Sequence, residues 1–265
     1  MTTIEDQETL FTELAKHNIH RYDASKKLYK YVSVKTAKLI LGNGSLKFST
    51  PVELNDNDFE LALLINPPIE IRKKIVAFYF KKANPNATDR DVNIYLNNGD
   101  GKRRMLNDFC LKMVRESYGK LREKYAIFCA TTSPNNAEMW NNEKYGDSGK
   151  GVCIEYQLPL INSNYYTLKV FYDKDFKPFG TYNKAGLLNE VSVQRWYFTK
   201  RLKYEFEDEV RVFTDKGSGL GLFKKDEVFT GIYYGEHTSD VDITALELLL
   251  KNGGYSFDKG VKAIY

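Results

Sequence analysis

Paired cysteines, clustered histidines and long apolar runs are all missing from this sequence. Its 265 residues include three cysteines, Cys110, Cys129 and Cys153, and three histidines, His17, His20 and His237. That odd, widely spaced cysteine count excludes a disulfide framework, and the scattered histidines argue against zinc. No apolar stretch approaches membrane-spanning length. The N-terminus is acidic and polar, unlike a secretory signal. Gly217–Gly221 is not followed by Lys-Ser or Lys-Thr, so it is no P-loop. No repeat and no long low-complexity linker is present. These absences predict a soluble, cytoplasmic protein with no membrane partner and no metal.

The formal net charge is only +4, from 39 basic and 35 acidic residues. That balance does not by itself call for nucleic acid. Aromatics are plentiful, with 19 tyrosines and 16 phenylalanines. Tyrosine can line clefts with rings that keep one polar handle.

Apolar spacing predicts helices over residues 5–17, 34–41, 68–83, 89–96, 102–124, 181–198 and 240–251, with a helical turn near 138–145. Strands are predicted over 28–32, 45–49, 125–130, 151–157, 166–172, 204–213, 227–234 and 255–265. Gly99-Asp100-Gly101 and 217–221 read as turns. Helices crowd the first half and strands the second, without βαβ alternation. The expected class is α+β: a single domain, 28–265, around a largely antiparallel sheet. A helical insertion spans about 62–124, and residues 1–27 form an N-terminal helical extension.

The most unusual stretch is Tyr-Glu-Phe-Glu-Asp-Glu-Val-Arg-Val-Phe at 204–213. Side chains alternate along a strand. As one strand it would place Glu207, Glu209 and Arg211 on one face and Asp208, Val210 and Val212 on the other. Such a face is either a solvated charge ladder or the wall of a polar cleft. The carboxylates around residues 53–60 raise a calcium loop, but the EF-hand glycine is lacking, and a hydrogen-bonded turn fits better. The basic face of 102–124 reads first as a solvated face. Cys129 and Cys153 sit in apolar strands and read as core residues.

Several stretches together resemble a bacterial and phage family of unknown function. They are Leu28-Tyr29-Lys30-Tyr31; Leu46-Lys47-Phe48-Ser49-Thr50-Pro51 with Asn55-Asp56 and Phe59-Glu60; Met139-Trp140 with Tyr145; Gly151-Val152-Cys153-Ile154-Glu155-Tyr156; and Glu207-Asp208-Glu209-Val210-Arg211. A weaker resemblance, in the order of parts, is to ADP-ribosyltransferases: a first strand at Tyr29–Tyr31, a Ser-Thr strand at Phe48-Ser49-Thr50, and a late Glu-x-Glu strand at Glu207–Glu209. Lys30 stands where such enzymes carry Arg or His.

That resemblance implies an enzyme using NAD as a substrate to modify an unknown protein or nucleic-acid acceptor, as a toxin or antiphage effector. Glu209 would stabilise the ribosyl cation and Glu207 would handle the acceptor. Ser49 and Thr50 would brace the site. Tyr29, Tyr31 or Trp140 would contact nicotinamide, and Arg211 would hold Glu209. The alternative is a non-catalytic domain sensing a nucleotide, protein or nucleic acid, with 102–124 as its basic surface. A metal-dependent nuclease using Asp56, Asp58, Glu207 and Glu209 is a third reading.

Overall fold

Leu28–Val32 (β1) occupies the middle of a seven-stranded sheet that organises the molecule. The computed structural model describes residues 4–23, 25–54, 66–157, 165–175, 182–214, 217–222, 225–257 and 259–262. The carboxylate-rich segment Asn55–Glu60 lies outside them. The helices are Ile4–Ala15 (α1), Val34–Asn43 (α2), Pro51–Leu54 (α3), Ile69–Ala83 (α4), Asp89–Asn97 (α5), Gly99–Leu106 (α6), Phe109–Lys124 (α7), Ala137–Asn141 (α8), Glu190–Tyr197 (α9), Lys225–Val228 (α10) and Asp240–Asn252 (α11). After β1 come strands Ser45–Phe48 (β2), Ala126–Thr131 (β3), Val152–Tyr156 (β4), Tyr165–Lys169 (β5), Phe171–Asp173 (β6), Thr199–Arg201 (β7), Glu209–Thr214 (β8), Gly219–Leu222 (β9), Phe229–Tyr234 (β10) and Val261–Lys262 (β11).

The large sheet runs β11-β10-β4-β1-β3-β8-β5. Every pairing in it is antiparallel except β10 with β11. The class is therefore mixed helix and strand around a mostly antiparallel sheet. Strand alternation sorts the side chains cleanly. Leu28, Val32, Phe128, Ile154, Val210 and Val212 turn to one face, where Ala37 and Leu41 of α2 and Leu246 and Leu250 of α11 cover them. On the other face Ile127, Leu168 and Phe213 meet Ile75 of α4, Val114 and Tyr118 of α7 and Trp196 of α9. Phe11, Leu14 and Ile19 are buried in this same cluster, so the N-terminal helix is part of the core.

Local chemistry moves several predicted boundaries. Helix α2 runs past Gly42 because Gly44 takes the left-handed conformation (φ 63°) and donates its N–H to Ile40. The turn expected at Gly99–Gly101 is the start of α6, because the Asn98 side chain accepts the Gly101 N–H at 2.9 Å. The helix predicted over 102–124 breaks at Asn107-Asp108, where the Asn107 side chain accepts the Phe109 N–H at 2.9 Å. The helix predicted over 181–198 shrinks to α9. Its described front part is a loop in which Asn183 accepts from Ala185 and Leu187, and Asn189 caps Ser192. Residues 217–221 are not simply a turn, since β9 pairs with β2.

Farther along that face, Tyr31 of β1 and Cys153 of β4 meet Met139 and Trp140 of α8 in a third buried cluster.

Candidate functional site

The 204–213 stretch is not one strand. Residues Leu202–Glu207 form a 3-10 helix, closed by Asp208 in the left-handed region (φ 42°, ψ 50°). Aspartate tolerates that conformation better than a bulkier residue. Its carboxylate accepts from the Thr132 hydroxyl and pairs with Lys169 at 2.8 Å. Strand β8 starts only at Glu209. Glu209 and Arg211 therefore share a strand face as expected, but Glu207 reaches them from a turn.

The agent that joins the carboxylates is Lys200, on β7. Its ammonium lies 2.5 Å from Glu207 Oε2 and 3.3 Å from Glu209 Oε2. Arg211 grips Glu209 through Nε to Oε1 at 2.8 Å and Nη2 to Oε2 at 3.0 Å. It also donates to the carbonyl of Tyr197. Tyr145 donates to Glu207 Oε1 at 2.6 Å. All of Lys200, Glu207, Glu209 and Arg211 are buried. Buried charges of this kind require mutual pairing.

The electrostatics follow from that packing. Burial pushes the Glu209 carboxyl up, but Arg211 and then Lys200 outweigh it and hold it well below the usual range. Burial lowers Lys200, yet Glu209 and Glu207 raise it past its ordinary value, so it stays protonated. Burial and then the nearby Glu209 push the Cys129 thiol up to about 12, which keeps it unreactive.

Hydrogen-bonding capacity separates the two carboxylates. A carboxylate offers about four acceptor positions. Glu209 spends them on two Arg211 donors, Lys200 and the Cys129 thiol. Glu207 accepts from Lys200 and Tyr145, which leaves positions for a ligand.

These groups wall a cavity of about 510 Å³. Tyr29 and Tyr31 of β1, Thr131 of β3, and Tyr145 and Tyr204 also line it. The register explains the gathering: Thr131 pairs with Tyr29 on one side and Glu209 on the other, so the three share one sheet face. The Thr131 hydroxyl is buried with no hydrogen-bond partner.

Tyr31 donates its hydroxyl to Ser133 O and accepts from Asn136 N–H, both at 3.1 Å. Lys30 turns away: its ammonium is 2.6 Å from the Cys129 carbonyl and 4.9 Å from the Phe128 ring.

Three predicted site residues do not line the cavity. Ser49 bridges Ile127 through backbone bonds of 3.0 and 2.8 Å. Thr50 and Glu53 cap the short α3, with Thr50 N–H donating to Glu53 at 2.9 Å. Trp140 is fully buried; its Nε1 donates to Pro134 O at 2.8 Å and its ring packs on Tyr31 at 4.9 Å. It supports Tyr31 from behind. The hydroxyl-bearing strand between β1 and the Glu209 strand is β3, which ends at Thr131 and leads into Thr132 and Ser133, not β2.

Comparison of the chain with family models, curated proteins and solved structures gave no match.

Among the described residues, no group of three His, Cys, Asp or Glu is placed to hold a metal. Asp56 and Asp58 lie outside the described residues. Sequence reasoning missed Lys200, Thr131 and Cys129 at the site. Nothing in their spacing links them to Glu207 or Glu209; only strand pairing and the 3-10 turn do. Tyr145 stood in a recognised motif without an assigned role.

Proposed function

We propose that the cavity binds NAD and that the protein transfers ADP-ribose to a protein or nucleic-acid acceptor. The observation that carries this reading is the buried Glu207–Lys200–Glu209–Arg211 network at the wall of a cavity rich in tyrosine rings. The first strand, a hydroxyl-bearing strand and the glutamate strand are direct neighbours, which supports this reading.

The carbon–nitrogen bond between ribose and nicotinamide breaks, and nicotinamide leaves with the electron pair. The ribose carbon becomes cationic. A carboxylate beside it lowers the cost of that charge. Glu207 has acceptor capacity for this task, whereas Glu209 is saturated. In this reading Glu207 faces the sugar and then takes the proton released by the attacking acceptor. Glu209 anchors Arg211 and Lys200, and Tyr29 offers its ring to nicotinamide.

The test is release of nicotinamide from labelled NAD, with and without cell lysate. Turnover in the parent that falls by about 100-fold or more in Glu207→Gln supports the reading. Equal turnover in that variant sinks it. A second reading, a non-catalytic nucleotide sensor, is favoured by the ion pairs that already occupy both carboxylates. NAD binding without turnover, by calorimetry, selects it.

A further inference from the structure

Among the described residues, six cationic residues border the cavity, Lys30, Lys144, Lys200, Arg201, Lys203 and Arg211, with two carboxylates, Glu207 and Glu209. Lys200 and Arg211 are matched by the two glutamates. Lys30 is committed to the Cys129 carbonyl and the Phe128 ring. Lys144 and Lys203 are exposed and form no ion pair with any described residue. A concave site with this surplus concentrates anions.

The two lysines come from different segments: Lys144 follows α8, and Lys203 lies in the 3-10 helix that ends at Glu207. Lys144 lies 5.2 Å from the Tyr145 ring, whose hydroxyl is 2.6 Å from Glu207. Lys203 lies 4.8 Å from the Tyr204 ring, which also has the Lys200 ammonium 4.6 Å away. Each lysine is thus one aromatic ring removed from the Glu207 ion pair.

We infer that Lys144 and Lys203 form a subsite for a diphosphate, holding the two phosphates of a nucleoside diphosphate ligand at the mouth. The sugar attached to those phosphates then extends inward to Glu207. Only the orientation of the sugar rests on the proposed transfer reading; the phosphate subsite rests on charge and placement.

The experiment is calorimetric binding of ADP-ribose, ADP and inorganic pyrophosphate to the parent, Lys144→Glu, Lys203→Glu and the double variant. Both lysines are exposed, so the reversals leave the core untouched. The expected result is binding of all three ligands, weakened by salt, with a loss of at least tenfold for each reversal. Equal affinity in the parent and the double variant overturns the subsite and leaves the NAD reading standing. Parent binding of pyrophosphate and ADP-ribose without NAD turnover overturns the transfer reading and keeps the subsite. Binding of single-stranded DNA or RNA with no affinity for the small diphosphates overturns the subsite in favour of a nucleic-acid surface.

Discussion

Glu209 and Arg211, two residues apart on one strand, are locked face to face by hydrogen bonds of 2.8 and 3.0 Å. Both are buried, so neither can turn to water if its partner is removed. Replacing Arg211 by Met leaves Glu209 with Lys200 and a thiol. Breaking one side of a buried pair costs about 3–5 kcal/mol. Urea unfolding of Arg211→Met is expected to show a loss of that order. A loss under roughly 1 kcal/mol would mean the pair is solvated.

Acid should weaken the fold through Glu209. Its carboxyl is depressed by Arg211 and Lys200 in spite of burial, so its contribution is complete above the unfolded value of about 4.3. As pH falls below that value towards the depressed folded one, the contribution disappears. Between pH 5 and 3, Tm of the parent should drop more steeply than Tm of Glu209→Gln. Parallel curves would contradict the assigned shift.

Lys200 separates two buried carboxylates. In Lys200→Met they confront each other with no shared cation, so stability and NAD turnover should both fall. Lys200→Arg should recover much of the stability, because a guanidinium can reach both groups. Turnover of Lys200→Met equal to the parent's would show that the link is not needed for chemistry.

Thr131 carries a buried hydroxyl without a partner beside the cavity. An unsatisfied buried donor costs stability. Thr131→Val should therefore raise Tm of the ligand-free protein by about 2–4 °C. A lower Tm would mean that the hydroxyl is satisfied in the fold.

Much of the architecture was legible because it depends on local pattern. The alternation in β1, β3, β4 and β8 and the apolar face of α11 are properties of single segments, and they predicted a mostly antiparallel sheet with helices. Breaks such as Asn107-Asp108 and the loop before Asn189 were less legible, since side-chain caps compete with helix formation at positions where apolar spacing continues unbroken.

At the site, the sequence by itself determined that Glu209 and Arg211 lie on one face, because two residues apart on a strand allows nothing else. It could not determine what else meets them. Glu207 leaves the strand because 202–207 winds into a 3-10 helix ended by Asp208. Lys200 then folds back across both carboxylates. The Ser-Thr pair at 49–50 lost its expected place because β3, not β2, lies between β1 and β8. Strand order is set by which surfaces bury best together across the whole chain. That is a property of the tertiary structure alone.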